Sequence, residues 1–310
     1  MSAEPSAHAP LTVVICAHNP NAEYFARCLD ALRSQTLAAE RWELLVVDNR
    51  SDEPLDGRLD LEWKPGARIV REETLGLTPA RLRGIREAAG EILVLVDDDN
   101  LLDSGYLELA LRIAEERPYL GAWSGQCRPL FEAPPPPWSR RYWGSLCIRL
   151  FEADAWSNLP RLADTMPAGA GLCVRRAVAQ KYVQLHDAGA RGVQLDRTGK
   201  SLISGGDQDL AACACELGLG VGLISALGLG HIIPPQRLEL DYLERLSEGI
   251  SFSSTLLDAY WGLPVQARSP IGRAVDLLRT LRQGEPHRRL LRASYRGREK
   301  AARLLARERA

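Results

Sequence analysis

The most constraining feature of the sequence is a run of five apolar residues, Ile92–Val96, that leads directly into Asp97-Asp98-Asp99. A short apolar run with β-branched residues at alternate positions is typical of a buried strand. Three adjacent carboxylates at the end of such a strand repel one another, unless a cation compensates their charge. Mg²⁺ or Mn²⁺, completed by phosphate oxygens and water, is the simplest compensator. The alternative is a solvated acidic loop before the next helix.

Strands and helices are predicted to alternate around this run. The pattern predicts further strands at Leu11–Cys16, Leu44–Val47 and Ala67–Val70, and helices at Ala22–Gln35, Thr78–Ala89 and about 104–117. We therefore expect an α/β fold, with a Rossmann-like, mostly parallel sheet flanked by helices. Such sheets bind ligands at the carboxyl ends of their strands. The polar clusters that follow strands, His18-Asn19, Asp48-Asn49 and Asp97–Asn100, should then converge on one edge.

A second acidic pair, Asp207 and Asp209, follows Ser204-Gly205-Gly206 at a predicted helix start. One of these acids could cap the helix. The pair would equally suit a general base beside a substrate hydroxyl. His231, after a glycine-rich strand, is either a structural histidine or a metal ligand.

The middle of the chain, from Gly121 to about Arg161, is less regular and rich in tryptophan. It contains Trp123, Trp138, Trp143 and Trp156, four of the seven in the chain. Aromatic rings can stack on the apolar faces of sugars. The alternative is that these side chains belong to the core or line a loop.

Six stretches of the sequence together resemble a known enzyme family. VVICAHNPNAEYFARCLDALRSQTL, WELLVVDNRSDEP and EETLGLTPARLRGIREAAGEILVLVDDDN are similar to the nucleotide-sugar-binding half of family 2 glycosyltransferases, which have the A-type glycosyltransferase fold. PAGAGLCVRRAV, SGGDQDLAACACELGLGVGL and LGLGHIIPPQRLELDYL resemble the acceptor half of the same family. The resemblance covers roughly residues 10 to 255.

The resemblance implies roles for individual residues. Those implied to bind the donor nucleotide sugar are Ala17, His18, Asn19, Asp48, Arg81, Asp97, Asp98 and Asp99. Asp99 would bind a Mn²⁺ or Mg²⁺ ion, with Asp97 and His231 as further candidate ligands, and Asp207 would take the proton from the acceptor hydroxyl. Candidate acceptor contacts are Trp123, Trp138, Trp143, Gly169, Gly171 and Asp209.

The implied activity is inverting, metal-dependent transfer of one sugar from a nucleotide sugar, with UDP as the expected nucleotide. The acceptor would be a glycan, a lipid-linked molecule or a small molecule, in bacterial surface-polysaccharide or glycolipid assembly. The sequence lacks Gln-x-x-Arg-Trp, a motif of processive synthases, which favours single-sugar transfer.

Two departures from the family pattern keep alternatives open. Gly206 stands where the family often has Glu, and Leu82 where it usually has Asn. A non-catalytic sugar- or nucleotide-binding protein of the same fold is one alternative. A sugar-nucleotidyltransferase is another, although it would need a glycine-rich phosphate loop that His18-Asn19-Pro20-Asn21 does not provide.

We expect a disordered N-terminus at residues 1–10, a catalytic domain at 11–266 and a basic helical tail at 267–310. The domain would divide into a donor half, 11–125, and an acceptor half, 126–266. From Arg268 onward, 13 basic residues stand against 4 acidic ones, a net charge of +9, whereas the rest of the chain, with 26 basic and 36 acidic residues, carries −10.

The tail starts with a helix signature at Ser269-Pro270 and has leucines at helical spacing. It could lie on an anionic membrane surface or pack on the catalytic domain. It contains no recognisable nucleic-acid-binding module, so no nucleic-acid partner is expected. Scattered, mostly apolar-flanked cysteines and a polar N-terminus favour a cytoplasmic protein, peripheral to the inner face of the membrane if the tail binds lipid.

Overall fold

Nine strands and eight helices build the part of the chain that the computed structural model describes, which is residues 9–162, 164–191, 195, 197, 202–265 and 269–308. The strands are β1 Leu11–Ala17, β2 Trp42–Asp48, β3 Arg68–Arg71, β4 Ile92–Val96, β5 Asn100–Leu102, β6 Leu120–Phe131, β7 Ala155–Ser157, β8 Leu172–Arg175 and β9 Gly220–Ile233. The helices are α1 Ala22–Arg33, α2 Leu77–Glu87, α3 Tyr106–Glu116, α4 Arg176–Asp187, α5 Gly206–Glu216, α6 Leu240–Tyr260, α7 Pro270–Leu281 and α8 His287–Glu308. The predicted disordered N-terminus lies outside the described residues, except for residues 9 and 10.

The strands form one sheet in the order β3-β2-β1-β4-β8-β6-β9-β5, with β7 also paired to β9. The first four strands are parallel, as predicted, because a helix returns the chain to the same edge before β2 and β4. In the second half, β8 runs antiparallel to both β4 and β6, and β5 and β7 run antiparallel to β9. The sheet is therefore mixed there, a difference from the mostly parallel prediction that arises because β8 is entered from an irregular segment.

Apolar side chains cover both faces of the sheet. On one face, Phe25 of α1 and Leu107 of α3 pack against β1 and β4. On the other, Ile85 of α2, Val178 of α4 and Leu210 of α5 are buried. The two layers hold the carboxyl ends of β1 and β4 at a fixed, open edge of the sheet.

The basic tail divides into two helices with different surroundings. Helix α8 packs along α6 and buries Leu290 and Ala301 completely. The helices come so close that a Cβ at Gly297 would overlap the backbone oxygen of Glu248. Helix α7 begins at Pro270 after the cap Ser269, as the sequence predicts, and leaves most of its apolar side chains exposed.

Candidate active site

The structure brings most of the predicted site residues to one cavity of about 300 Å³ at the carboxyl ends of β1 and β4. The predicted residues that line it are Ala17, His18, Arg81, Asp97, Asp98, Asp99, Gly169, Asp207 and His231. They come from both halves of the chain. The cavity therefore forms only when the second half folds against the first.

The three aspartates after β4 experience different electrostatic surroundings. Burial and the charge of Asp99 raise the pKa of Asp97, and burial together with Asp99 and Asp97 raises the pKa of Asp98 to about 7. Burial alone would also raise the pKa of Asp99, but the positive charge of neighbouring Arg237 lowers it. Asp99 is thus the carboxylate that already has a cation beside it.

A short strand that the sequence did not predict places His231 beside Asp99. Strand β5 pairs with β9 so that Asn100 lies opposite His231. As a result, Nε2 of His231 lies 3.4 Å from Oδ2 of Asp99. Asn100 also donates a 2.9 Å hydrogen bond to Oδ1 of Asp99, which leaves Oδ2 facing the imidazole.

Arg237, in the short 3₁₀ turn after β9, contacts both of these groups. Its Nη2 lies 2.8 Å from Oδ2 of Asp99, and its Nη1 lies 3.0 Å from Nε2 of His231. A guanidinium can only donate, so Nε2 must carry a lone pair. Nδ1 of His231 then carries the proton and donates to the backbone oxygen of Leu146, 3.1 Å away.

Asp99 and His231 have the chemistry of a divalent-ion site. Ligand bonds of roughly 2.1 Å put two neighbouring donor atoms of one ion about 3.0 to 3.4 Å apart, which the observed separation matches. Among the described residues, no group of three or more His, Cys, Asp or Glu side chains is placed to hold a metal ion. An ion here would complete its coordination with water and phosphate oxygens, as Mg²⁺ usually does.

Asp207 lies in the first turn of α5, where the glycines before it let the helix start at the cavity wall. Its Oδ2 accepts a 2.7 Å hydrogen bond from the amide of Gly169. It also lines a second cavity, of about 360 Å³, whose walls include Arg149, Met166 and Ile250. The same carboxylate therefore faces both cavities.

Two of the predicted donor residues do not line the first cavity. Asp48 is buried and accepts hydrogen bonds from the amides of Ser51 and Leu55 and from Arg71. Burial opposes the effect, but these hydrogen bonds and the Arg71 charge lower its pKa. Asn49 reaches the cavity instead, since it follows Asp48 at the strand end.

Asn19 turns toward a separate surface cavity, where its side chain donates to Asp52.

Several predicted acceptor contacts also lie elsewhere. Asp209 is 1% exposed and forms a two-point ion pair with Arg191. Trp123 is fully buried in the core. Gly171 has a φ of +68° and holds its carbonyl against the hydroxyl of Tyr106. None of these positions supports direct contact with an acceptor.

Trp138 and Trp143 lie in a 3₁₀ segment, Pro137–Leu146, and pack with Tyr142 and Phe131. Neither tryptophan lines the two cavities. Residues Gly144 to Cys147, at the end of this segment, form part of the cavity walls. The tryptophan-rich segment thus contributes to the cavity walls, but through residues other than its tryptophans.

Sequence reasoning did not select four polar residues that line the first cavity: Ser145, Arg197, Ser204 and Arg237. Arg237 stands within the quoted stretch LGLGHIIPPQRLELDYL, six residues after His231. The two prolines before it form the turn that returns its side chain to His231. This proline turn was the feature of the sequence that could have indicated the position of Arg237.

Comparisons with known proteins identify the sequence family that part of the chain matches. The sequence model described as "Glycosyl transferase family 2" matches residues 12–162. The glycosyltransferase AglE of Haloferax volcanii is 33% identical over 95 residues, which are 29% of this chain and 30% of AglE. The uncharacterized protein y4gI of Sinorhizobium fredii is 30% identical over 112 residues, or 35% of this chain and 12% of that protein. The chain thus spans less than a third of these relatives.

The fold is similar to that of S. aureus TarS 1-349. That structure superposes with a TM-score of 0.52 at 17% identity, over 95% of this chain and 91% of that one. Structures of the same protein in complex with UDP and with UDP-GlcNAc each give a TM-score of 0.51. Within its described residues, this chain has no helix with the length and apolar character needed to cross a bilayer.

Proposed function

Since the chain belongs to family 2 of the glycosyltransferases, we propose that it transfers one sugar from a nucleotide-sugar donor to an acceptor hydroxyl, with inversion at the anomeric carbon. The observation that carries the proposal is the position of Asp207 in the wall of both cavities. A base that serves this reaction must lie within hydrogen-bond reach of the acceptor hydroxyl while that hydroxyl faces the donor carbon. Among the residues that the structure describes, Asp207 is the acidic one that lines both cavities.

The reaction needs one proton transfer and one displacement. Asp207 accepts the proton of the acceptor hydroxyl, and the oxygen forms a bond to C1 of the sugar. The bond between C1 and the phosphate oxygen breaks on the opposite face, and the nucleoside diphosphate leaves with the bonding electrons. The Gly169 amide donates to Oδ2 of Asp207 and so fixes the carboxylate in the cavity wall.

The donor would occupy the cavity of about 300 Å³, and UDP is the proposed nucleotide. The complexes of TarS with UDP and UDP-GlcNAc support this choice. Arg81, Arg197 and Arg237 line the cavity and would attract the diphosphate. Asn49, which directly follows β2, would replace Asp48 as the polar group nearest the nucleobase of the donor.

A divalent ion, Mn²⁺ or Mg²⁺, would be held by Asp99 and His231, with Asp97 beside them. When bound, it would supply positive charge to the departing diphosphate. The residues of this chain would bind the donor and orient the acceptor, and Asp207 would hold the proton.

The second cavity would hold the acceptor. Its lining combines Ile148, Met166 and Ile250 with Arg149 and Arg161. Surface-polysaccharide or glycolipid assembly would supply acceptors of mixed polar and apolar character. Leu82 and Gly206, the two departures from the family pattern, leave Asp99 and Asp207 in place, which favours an enzyme over a non-catalytic binding protein.

Calorimetric titration with UDP, with and without Mn²⁺, tests the donor site, and a donor-hydrolysis screen then identifies the sugar. We expect UDP to bind and one UDP-sugar to be hydrolysed slowly in the absence of acceptor. The proposal fails if neither UDP nor any other nucleoside diphosphate binds.

For the tail, we propose that α7 contacts an anionic lipid surface at the cytoplasmic face of the membrane. Ile271, Leu278 and Leu281 are 78%, 57% and 54% exposed on one side of the helix, whereas Thr280 on the other side is buried. The exposed residues Arg279 and Arg282 adjoin this apolar stripe. An apolar stripe beside cations suits the surface of an anionic bilayer.

Sedimentation with vesicles of phosphatidylglycerol tests this contact. The double variant Ile271→Glu/Leu278→Glu should bind at least about 10-fold more weakly, because each side chain loses roughly 1.5–3 kcal/mol of apolar burial. Leu150→Glu, which changes an exposed leucine elsewhere, should bind as the unchanged protein does. The lipid contact would be excluded if the double variant bound vesicles as tightly as the unchanged protein. It would also be excluded if the double variant lost self-association and nothing else.

A further inference from the structure

Arg237 occupies the position between Asp99 and His231 that a divalent ion would need. It donates to Oδ2 of Asp99 at 2.8 Å and to Nε2 of His231 at 3.0 Å. These are the two atoms, 3.4 Å apart, that have the separation of neighbouring metal ligands. The lone pair on Nε2 that would bind an ion is already used to accept from the guanidinium.

The contact is strongly held. Asp99 and His231 are nearly buried, and the Arg237 side chain is only 23% exposed. Despite the burial of the guanidinium, Asp99 raises the pKa of Arg237, so the group remains charged. Removing it without replacement would leave a buried carboxylate without a cation, which is costly.

We propose that, in the enzyme without donor, Arg237 excludes divalent ions from Asp99 and His231. When a donor diphosphate offers the guanidinium another anion, Arg237 leaves these two side chains, and an ion can then bind to them. Arg237 and the ion cannot both use the same oxygen and nitrogen lone pairs. Arg237 lines the donor cavity, so a diphosphate there competes with Asp99 for it. The inference rests on the proposed nucleotide-sugar donor.

The consequence is a coupling between the two ligands. The ion binds weakly to the protein alone and tightly once the diphosphate is present, and by reciprocity the ion strengthens binding of the diphosphate. Part of this coupling comes from direct bonds between ion and phosphate. The remaining part depends on Arg237 and disappears with it.

Binding of Mn²⁺ alone to the full chain, followed by electron paramagnetic resonance, separates these parts. Arg237→Gln should bind Mn²⁺ about 10- to 100-fold more tightly than the unchanged protein, the range expected for freeing a group from hydrogen bonds to a charged partner. Asp99→Asn should abolish the tighter binding in the Arg237→Gln background. Arg128→Gln, which alters an arginine paired with Asp103 away from the site, should leave Mn²⁺ affinity unchanged.

A second titration measures the coupling. Saturating UDP should raise Mn²⁺ affinity by a larger factor in the unchanged protein than in Arg237→Gln. The proposal is overturned if Arg237→Gln binds Mn²⁺ no more tightly than the unchanged protein, or if UDP raises Mn²⁺ affinity equally in both. A failure of the donor proposal is distinguishable, since UDP would then change nothing in any variant while the Mn²⁺ titrations remain readable.

Discussion

The carboxylates of the donor cavity and those on the surface of α6 have opposite surroundings. In the cavity, Asp97 and Asp98 lie close to each other and to Asp99, and their pKa values are raised. On α6, Glu244 and Glu248 lie opposite Arg289, Arg296 and Lys300 of α8, and the pKa values of both glutamates are lowered. The comparison teaches that the pKa of a carboxylate in this chain depends on whether cations or other carboxylates surround it. Glu244 and Glu248, which are paired with cations, join α6 to α8, whereas Asp97 and Asp98, which repel each other, line a cavity.

Helix α5 shows the same contrast within one turn. Asp207 faces the two cavities, whereas Asp209, two residues later, faces Arg191 and Trp261 at the end of α6. Residues two positions apart on a helix point to different sides, so Asp207 lines the cavities and Asp209 joins two helices.

The largest effect is expected from Asp207→Asn. Loss of the base should lower turnover by about 10²- to 10⁴-fold, because an amide cannot accept the hydroxyl proton. UDP affinity and the melting temperature should change little, since the amide keeps the shape of the side chain. Steady-state transfer kinetics check this; unchanged turnover would assign the base to another residue.

Asp209→Asn should instead lower stability. Breaking a buried ion pair leaves the Arg191 charge without compensation and costs roughly 3–5 kcal/mol. Urea unfolding measures the loss, and the folded fraction should retain turnover. In the double variant Asp209→Leu/Arg191→Met, where neither charge remains, part of the stability should return. A loss of turnover without a loss of stability would instead show that Asp209 takes part in the reaction.

Gly169→Ala should have an intermediate effect on turnover. A Cβ at this position would lie 3.0 Å from Cβ and Oδ2 of Asp207, so the carboxylate must shift. A displacement of this kind costs about 10- to 100-fold in turnover. Gly105→Ala, where an added Cβ meets open space, is the matched control and should leave the rate unchanged. Equal rates in both variants would contradict the positioning of Asp207 by the Gly169 amide.

The smallest effect is expected where α6 meets α8. Glu248→Gln should destabilise the α8 contact by at most about 1 kcal/mol, because its ion pairs are partly exposed. The lowered pKa values of Glu244 and Glu248 mean that their contribution is complete above the unfolded pKa and is lost as the pH falls through the lower, folded pKa. Hydrogen exchange of α8 amides, corrected for intrinsic rates, measures this loss. Protection that does not fall in acid would show that apolar contacts alone hold α8.

The first half of the chain, residues 11–125, could be predicted from the sequence because its signals are local. Ile92–Val96 forms β4 at the predicted residues, and the polar groups after β1 and β4 meet as expected. The pattern did not distinguish Asp48, which hydrogen-bonds its own turn, from Asn49, which reaches the cavity. Both follow the same strand, and only the turn geometry separates them.

The second half of the chain depends on contacts between distant residues, so its part of the candidate site could be predicted only in part. Strand β5 is three residues long and forms because β9 lies beside it. The pairing of Arg237 with Asp99 joins residues more than a hundred positions apart, and no periodicity indicates it. The prediction of Trp123 as an acceptor contact was not supported, because composition does not tell whether a tryptophan is buried.

The sharing of Asp207 by two cavities has a consequence for how such proteins diversify. Among the described residues, few besides Asp207 belong to both linings, namely Ser145, Cys147 and Ser204. Duplicated genes could therefore accumulate substitutions at Arg149, Met166 or Ile250 and change what the second cavity binds, while the first cavity and Asp207 stay unchanged. Selection on one specificity is in this way largely independent of selection on the other.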